Sequence, residues 1–410
     1  MNIFLINHYA GSPEMGREYR PYYLAREWLN MGHNVTILAA NNSHLRNYNP
    51  FFTSAILEEE VDGIKYIWVN TPKYNDNGLG RLKNIFSFVR KSLIMAKSFV
   101  NKYQPDVVIA SSTYTSDNYI AKKISKLSGA KYIYEVHDLW PLSPKELGNM
   151  SNYHPFIWAM QHAEDFAYKN VDAVVSMLPK TKGHMQKHGL DITKWHFVPN
   201  GFVLDDWNNP EDLPNEIAKK IEEIKNNNKF IVGYTGGHAP SNSLKTLVDA
   251  AKLLKDDSSI HFLFVGSGIE KESLIKQANG LNNITFMNPI PKLSIPKLLE
   301  KMDVVVIGAI KSPLYRFGVS PNKLIDYMMA EKPIIQYIDA GNDIVKEANV
   351  GLSVPSGSPK KIVDAIKKLK QKSEEELKEL GRNGKKYVLE NHDYHILAER
   401  FIRIINEIKR

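Results

Sequence analysis

The sequence predicts an α/β fold made of two doubly wound domains, each with a mostly parallel sheet. Three observations lead to this prediction. The chain has 410 residues, which is more than one hydrophobic core usually supports. Short apolar runs alternate with helical stretches from the first residues onward, as in βαβ units. This alternation stops near residues 198–201 and then starts again.

In the first half we expect six strands and four helices. Each expected strand is a short apolar run, as in a parallel sheet that is covered on both faces. The strands are predicted at 3–6, 34–39, 64–69, 107–110, 131–136 and 173–176. The helices are predicted at 19–31, 81–103, 116–127 and 156–169.

The second half repeats the pattern after a polar, proline-containing stretch at 205–214. Its strands are predicted at 230–234, 261–265, 285–287, 304–307, 333–336 and 352–354. Its helical segments are predicted to begin near Asn242, Ile269, Ser294, Asn322, Gly341 and Pro359. We therefore expect domains at 1–200 and 201–385, with a last helix at 386–410 that returns to the first domain.

The composition and the apolar runs indicate the cellular compartment of the protein. The chain has no cysteine, which excludes a disulfide scaffold and thiolate chemistry and fits a reducing compartment. The first apolar run, at 2–6, is too short for a signal-peptide core, and no run of about 18 apolar residues predicts a spanning helix. We expect a cytoplasmic protein.

The positive charge, +8 overall, is concentrated in one stretch. No acidic residue occurs between Asp76 and Asp106, whereas residues 81–102 contain six basic ones. Apolar residues at 85, 89, 93 and 96 share one helix face. This face predicts either a peripheral contact with an anionic membrane surface at the inner side of the cell membrane or packing against a sheet. Nucleic acid is not expected, because no nucleic-acid motif accompanies the charge.

A turn that runs directly into a helix is the most informative segment. The sequence Ser320-Pro321-Asn322-Lys323 precedes the helical pattern Leu324, Tyr327, Met328. A helix start offers backbone N–H groups and a positive dipole end to an anion, so the turn suits a phosphate. Asp326, one turn on, is placed to accept hydrogen bonds from sugar hydroxyls. An ordinary helix start with a solvated lysine remains the alternative.

Two glycine loops follow strands of the second half. The first contains Gly236, Gly237 and His238, and the second contains Gly266, Gly268 and Lys271. Glycine lets a backbone approach a phosphate closely. Neither loop is a dinucleotide fingerprint, because position 271 holds lysine where a third glycine would stand. The sequence also shows no Walker A loop and no His or carboxylate set that indicates a metal.

Two segments of the first half are candidates for the binding site, the first for the nucleotide sugar through Gly16 and the second for the sugar. The loop after the first strand, residues 7–20, contains Gly16, which permits close backbone approach. The strand at 131–136 ends in His137 and Asp138, followed by Trp140. Polar residues at such strand ends are typical of ligand sites, although a lone histidine there also occurs as a hydrogen-bonded structural residue.

Taken in order, these motifs resemble the GT-B glycosyltransferases of family 4, over nearly the whole chain. The resemblance extends to the bacterial branch of WbuB-like and WcaI-like enzymes, which build capsule, O-antigen and exopolysaccharide units. It implies two Rossmann-like domains facing a central cleft. It also implies retaining transfer from a nucleotide sugar, UDP-linked and including N-acetylated or deoxy sugars, to a lipid-linked glycan or saccharide acceptor. No further cofactor and no essential metal are implied.

The chain departs from the family pattern at two places. Gly318 stands where many members have the first carboxylate of the phosphate turn, and Gly237 and Asn242 stand where many have Arg and Lys. We therefore assign the diphosphate charge to Lys323, Lys271, Arg316 and the helix start at 320–322.

The resemblance also assigns roles to single residues. Under it, His137 orients the donor sugar, Asp138 holds the neighbouring loop or the imidazole, and Asp326 contacts the ribose. Three other functions stay open: a nucleotide-sugar 2-epimerase, a phosphorylase, for which no pyridoxal-binding lysine is evident, and a non-catalytic nucleotide-sugar-binding protein.

Overall fold

The computed structural model describes residues 1–16, 19–74 and 78–409, apart from the side chain of Asp206, and forms two compact units. Unit 1 comprises Met1–Asn200 and Tyr394–Arg410, and unit 2 comprises Gly201–Asp393. Arg17 and Glu18 of the predicted glycine loop, and Asp76 at the edge of the basic stretch, lie outside the described residues.

Unit 1 contains a parallel sheet with one antiparallel edge strand. Its strands, β1 to β8, are Asn2–Ile6, Asn34–Ala40, Ile56–Val61, Ile64–Val69, Val107–Ala110, Lys131–Val136, Ala173–Ser176 and Trp195–Phe197. Helices α1 to α6 are Arg20–Asn30, Leu79–Tyr103, Asn118–Ser128, Leu142–Glu146, Pro155–Asn170 and Lys182–Lys187. The strand order is β3-β4-β2-β1-β5-β6-β7-β8.

Unit 2 contains a six-stranded parallel sheet in the described residues. Strands β9 to β14 are Phe230–Thr235, Ile260–Val265, Ile284–Met287, Val304–Gly308, Ile334–Tyr337 and Gly351–Ser353. Helices α7 to α15 are Asp205–Asn208, Asn215–Asn226, Leu244–Leu253, Lys271–Gln277, Ile295–Glu300, Asn322–Met329, Ile344–Glu347, Pro359–Lys370 and Glu374–Asn391. The strand order is β11-β10-β9-β12-β13-β14.

Both faces of the unit 2 sheet are covered, as the continuous apolar runs predict. Successive side chains of a strand point to opposite faces. In β12, Val304 and Val306 join one buried cluster, whereas Val305 and Ile307 join another on the opposite side. The predicted class, two doubly wound domains with parallel sheets, is confirmed.

Two strands form that we did not predict. β3 pairs antiparallel with β4 through the turn Asp62-Gly63, whose φ angles are +52° and +80°. It carries three consecutive glutamates, so its apolar content is low, but the Asp-Gly turn was a usable hairpin signal. β8 has only three residues and pairs with β7 at the other edge.

The last helix, α16 at Tyr394–Lys409, packs within unit 1 against α1. The rings of Trp28 and Phe401 lie 5.2 Å apart, and the Trp28 indole donates a hydrogen bond to the carbonyl of Ala398. Residues 386–393, which we expected to be part of the returning segment, belong to unit 2, because α15 continues to Asn391.

The basic stretch is the long helix α2. Ile85, Phe88 and Ala96 are buried, so part of the predicted apolar face packs inside the protein. Phe86 and Ile94, on another face, remain 70% and 66% exposed. Among the described residues, no helix is both long and apolar enough to cross a membrane.

In unit 2 the chain order reverses between β9 and β12, which are neighbours in the sheet. Ligands of doubly wound sheets bind outside the carboxyl ends of the strands at such a switch point. The loop after β9 and the start of α12 both lie at this position in the topology.

Candidate functional site

The two predicted glycine loops of unit 2 lie against each other. A Cβ on Gly266 would come within 1.9 Å of the carbonyl oxygen of Gly236, and a Cβ on Gly268 within 2.4 Å of that of His238. The backbone of His238 also donates to Ser267 and accepts from Glu270. Only glycine allows two backbones to come this close. Gly236, Gly237 and Gly268 remain exposed on the outer side of this contact.

Lys323 reaches from the start of α12 to the first glycine loop. Its ammonium donates to Tyr234 Oη at 2.7 Å and to Asn242 Oδ1 at 3.3 Å, and it lies 4.6 Å from the centre of the Tyr234 ring. Tyr234 Oη and Asn242 Nδ2 each donate at 2.7 Å to the carbonyl of Gly237. The structure thus brings Lys323, the glycine loop and the helix start together across the switch point.

Tyr327 provides a second link between α12 and β9. Its hydroxyl accepts a hydrogen bond from the backbone N–H of Thr235 at 3.0 Å. Tyr327 is four residues after Lys323, so both side chains project from the same helix face. The position of the helix start relative to β9 is therefore fixed by two side chains.

The Lys323 ammonium is poorly solvated. Burial lowers the pKa of Lys323 from 10.5 to about 8, and the nearby Asp326 carboxylate acts in the opposite direction. An anion bound beside this ammonium would raise its pKa and be attracted by it. The site therefore holds a cation that lacks full compensation, as expected for an anion-binding site.

The predicted phosphate turn is held by the loop after β13. Asn342 accepts from the Val319 N–H at 2.8 Å and donates to the Val319 carbonyl at 3.0 Å. A Cβ on Gly341 would lie 2.1 Å from the carbonyl oxygen of Arg316. Gly318 has a φ of +97°, a conformation that favours glycine.

The other residues predicted at the turn are near the surface. Ser320, Pro321 and Asp326 are half-buried, and Asn322 is exposed at the first position of α12. The N-cap residue of α12, Pro321, makes no side-chain hydrogen bond to the first N–H groups of the helix. The exposed Arg316 guanidinium donates to the carbonyl of Pro313 and stacks 4.2 Å from the Phe317 ring centre.

Lys271 makes three hydrogen bonds within unit 2. Its ammonium donates to the carbonyls of Gly266 and Met287 and to Asn288 Oδ1, at 2.9–3.1 Å. An ammonium has three N–H donors, so in this structure all the donors of Lys271 are used to brace the ends of β10 and β11. The three acceptors are neutral, and the assignment of phosphate charge to Lys271 stays a prediction.

The His238 ring is completely buried below the glycine loops, among the rings of Tyr234, Phe264 and Phe286. Within the described part of the chain, neither ring nitrogen has a hydrogen-bond partner. Burial, followed by Lys271 and Lys323, lowers the pKa of His238 to about 4, so the ring is neutral. Its predicted part in ligand binding is therefore limited to its backbone and to packing.

In unit 1, His137 belongs to a buried polar network at the ends of β5 and β6. Its Nε2 lies 3.0 Å from Ser111 Oγ and 3.3 Å from Glu135 Oε2. Ser111 donates to the same Glu135 oxygen at 2.6 Å, so its own oxygen accepts from His137. The network thereby favours the tautomer with a proton on Nε2.

Arg20, the first residue of α1, balances the buried Glu135 carboxylate. Its Nε lies 3.0 Å from Glu135 Oε1, and its Nη1 and Nη2 donate to the carbonyls of Pro199 and Val198. Burial raises the pKa of Glu135, but Arg20, His137 and Ser111 outweigh it and lower that pKa to about 2. Glu135 is therefore ionised throughout the physiological pH range.

Asp138 and Gly16 lie apart from this network. The Asp138 side chain is exposed, and no side chain of the described residues donates a hydrogen bond to it; the imidazole of His137 is held by Ser111 and Glu135. Gly16, with a φ of +88°, is buried where a Cβ would lie 2.8 Å from the Asn47 amide nitrogen. Its glycine is thus explained by packing.

Sequence reasoning missed Arg20, Ser111, Glu135 and Asn342 as parts of these sites. Glu135 carried a signal, because a carboxylate inside an apolar strand needs a buried partner. Tyr234 and Asn242 were noticed in the motifs but were not predicted to hold Lys323.

The two doubly wound units with parallel sheets match the GT-B fold of glycosyltransferases. Residues 16–201 match the family model described as glycosyl transferase 4-like domain, and residues 229–372 match the model of glycosyl transferases group 1. Both units of the chain are therefore glycosyltransferase family domains.

Solved structures with the same fold cover nearly the whole chain. Sucrose-phosphate synthase from Thermosynechococcus elongatus has 16% identity and a TM-score of 0.72, with 100% of this chain and 99% of that chain covered. HepE of Anabaena, in complex with UDP-glucose, has 16% identity and a TM-score of 0.65, with 99% of each chain covered. A glycosyltransferase from Rickettsia africae has 16% identity and a TM-score of 0.69, with 100% and 98% covered. No curated protein sequence matches this one significantly.

The close contact of the glycine loops leads to a stability prediction. We expect Gly266→Ala to lower the melting temperature of the protein, because the new Cβ would overlap the Gly236 carbonyl and displace one loop. A loss of about 1–3 kcal/mol is expected for one such strained position. Gly237→Ala is the matched control, since its Cβ would meet nothing closer than 4.0 Å. Equal melting temperatures for both variants in thermal unfolding would contradict the role of the contact.

Proposed function

We propose that this protein is a retaining glycosyltransferase that transfers a sugar from a UDP-linked donor. The observation that carries the proposal is the half-buried Lys323 ammonium beside the exposed glycine loop and the start of α12. A diphosphate leaving group needs positive charge and N–H donors where its own charge develops. The UDP-glucose complex of HepE, which has the same fold, supports UDP as the nucleotide.

Different residues of the site bind different parts of the donor. Lys323 and the helix start receive the diphosphate, with the backbone of Gly236 and Gly237 beside it. Asp326, one turn further along α12, accepts hydrogen bonds from the ribose hydroxyls. Ser320, Pro321 and Asn322 place the helix start, and Arg316 borders the turn. This arrangement serves a hexosyl or N-acetylhexosaminyl donor, including N-acetylated and deoxy sugars.

The acceptor in this proposal is a lipid-linked glycan or saccharide of bacterial surface polysaccharide synthesis, as in WbuB-like and WcaI-like enzymes. The transferred sugar keeps its anomeric configuration because the acceptor attacks from the front face, through an oxocarbenium-like state. A leaving phosphate oxygen helps to take the acceptor proton. His137 orients the donor sugar, and Glu135 and Ser111 fix the orientation of its ring. Asp138 contributes through the loop that follows β6.

The acceptor proposal includes contact with an anionic membrane surface through one stripe of α2. The stripe consists of Lys83, Phe86, Arg90, Ile94 and Lys97, spaced by three or four residues along the helix. No carboxylate among the described residues pairs with its three basic side chains. Lys91 and Lys102 of the same helix are engaged elsewhere, with the Asn70 carbonyl and with Glu58. Exposed apolar side chains between basic residues suit a lipid headgroup region.

Lys323→Met tests the proposed role of Lys323 in UDP binding. We expect this variant to bind UDP about 10- to 100-fold more weakly in calorimetry, because a charge-assisted hydrogen bond contributes about 1.5–3 kcal/mol. Wild-type affinity should fall as pH rises through about 8, where Lys323 loses its proton. Lys311→Met, which removes an exposed ammonium of unit 2, is the control and should leave both properties unchanged.

The same variant should be more stable than the wild type at pH 7. The folded protein holds Lys323 with a pKa of about 8, below the ordinary 10.5, so burial of its charge costs stability. We expect a gain of about 1–3 kcal/mol in unfolding free energy, reduced by the lost bonds to Tyr234 and Asn242. Between pH 8 and 10.5 the unfolded wild type binds more protons, so wild-type stability rises and the difference shrinks. A variant that is less stable and binds UDP normally would contradict an anion-binding role.

The second prediction concerns His137→Asn. We expect kcat for sugar transfer to fall about 10- to 100-fold, because a misoriented donor sugar reacts more slowly. UDP affinity should stay unchanged, since the diphosphate groups are assigned to unit 2. Full turnover in this variant would show that His137 has no role in the mechanism.

Product analysis on the wild type separates the proposed transferase from the alternative functions. A 2-epimerase would release an epimerised nucleotide sugar without acceptor, and a binding protein would give no product.

The third prediction concerns the α2 stripe. We expect co-sedimentation with phosphatidylcholine vesicles only when phosphatidylserine is present, and weaker binding at high salt. Replacing Phe86 and Ile94 by serine should reduce binding about tenfold, and Arg90→Glu should do so at low salt. Trp158→Ser is the control, because Trp158 is 71% exposed on another helix of unit 1. Equal binding by the stripe variants and the control would contradict the proposed surface.

A further inference from the structure

A cluster of potential metal ligands joins α5 and α6 in unit 1, away from the residues discussed above. His184 and His188 are four residues apart and follow β7, and Glu164 lies on α5. Each of the three offers one ligand atom, and these atoms lie within 4.8 Å of one another. We did not predict this cluster from the sequence, because strand β7 separates α5 from α6.

The distances suit a tetrahedral ion better than a hydrogen bond. His184 Nε2 lies 3.3 Å from Glu164 Oε1, which is long for an N–H···O bond. Two ligands bound to Zn²⁺ at tetrahedral angles are about 3.3 Å apart, given bonds of about 2.0–2.1 Å. The three ligand atoms lie within 4.8 Å of one another, so the His188 atom has to move closer before all three can bind one ion.

Neighbouring groups are arranged as partners of metal ligands. The Asp165 carboxylate lies 2.8 Å from His188 Nδ1, which orients that ring and leaves its Nε2 for an ion. Gln161 Nε2 lies 2.8 Å from Glu164 Oε2 and 2.9 Å from His188 Nδ1. Tyr168 donates to Glu164 Oε1 at 2.9 Å. Such carboxylate–histidine pairs are typical of zinc sites.

The surroundings of the Glu164 side chain also favour a bound cation. Its side chain is buried, yet among the described residues no lysine or arginine pairs with it, and His184 is its basic partner. A buried carboxylate requires a positive partner or a strong set of hydrogen bonds. Neutral histidines and a carboxylate together form the nitrogen and oxygen donor set that zinc prefers.

We propose that Glu164, His184 and His188 form a binding site for Zn²⁺, with a water molecule at the fourth position. The ion links α6 to α5. α6 has only six residues and is too short to be stable alone. Zinc therefore stabilises this part of unit 1, and the site is independent of the proposed transfer reaction.

The test uses full-length protein without a histidine tag, treated with a chelator and then titrated with Zn²⁺ in calorimetry and thermal unfolding. We expect one ion per chain and a higher melting temperature at pH 7.5, since an ion that binds the folded state stabilises it. Binding should weaken at pH 5.5, because protons compete with the metal for its ligands. Co²⁺ should give the visible absorption of a tetrahedral site.

The variants His184→Ala and Glu164→Gln should each weaken Zn²⁺ binding at least about tenfold. His162→Ala is the matched control, because His162 is exposed on the same helix and contacts Tyr119 instead. If both ligand variants fail to fold, Asp165→Asn should still weaken binding about 10- to 100-fold by releasing His188. Wild type without stoichiometric binding, or folded variants with wild-type affinity, would overturn the proposal.

Discussion

The close approach of two glycine loops is the constraint on which the unit 2 site depends. Because no Cβ can fit between Gly236 and Gly266, the ends of β9 and β10 meet backbone to backbone. This leaves the carbonyl of Gly237 as the acceptor for Tyr234 and Asn242, and these two side chains in turn hold Lys323. Any widening of the loop contact would therefore displace the lysine as well as the backbone.

The site also shows how binding and stability oppose each other in this protein. Lys323 is held by two neutral oxygens, Tyr234 Oη and Asn242 Oδ1, and its burial disfavours its charge. These neutral partners do not cancel the field of the ammonium, which the nearby Asp326 carboxylate offsets in part, so an incoming anion is still attracted. A carboxylate at the same position would have stabilised the unit and weakened the attraction for a diphosphate.

Much of the fold was predictable, and the site was predictable in part. The buried strands of both sheets were clear because strands that are covered on both faces must be apolar throughout. This rule did not predict the charged edge strand β3, because an edge strand with a solvated face needs few apolar residues. The glycine loops and Lys323 were found from local sequence. Whether Lys271 points to a ligand or braces β10 and β11 depends on the distance between strands, which no local pattern contains. The pairing of Arg20 with Glu135 spans 115 positions and was equally inaccessible.

The Arg20–Glu135 pair has a consequence for how unit 1 responds to its surroundings. The same guanidinium binds the carboxylate that orients His137 and the carbonyls of Val198 and Pro199, which are near the end of the segment Met1–Asn200. Since the pKa of Glu135 is about 2, no physiological change in pH breaks this connection. The Arg20–Glu135 ion pair is therefore a constant structural contact and not a pH-dependent one. The orientation of the His137 ring is thus linked to the exit of the chain from unit 1 throughout the physiological pH range.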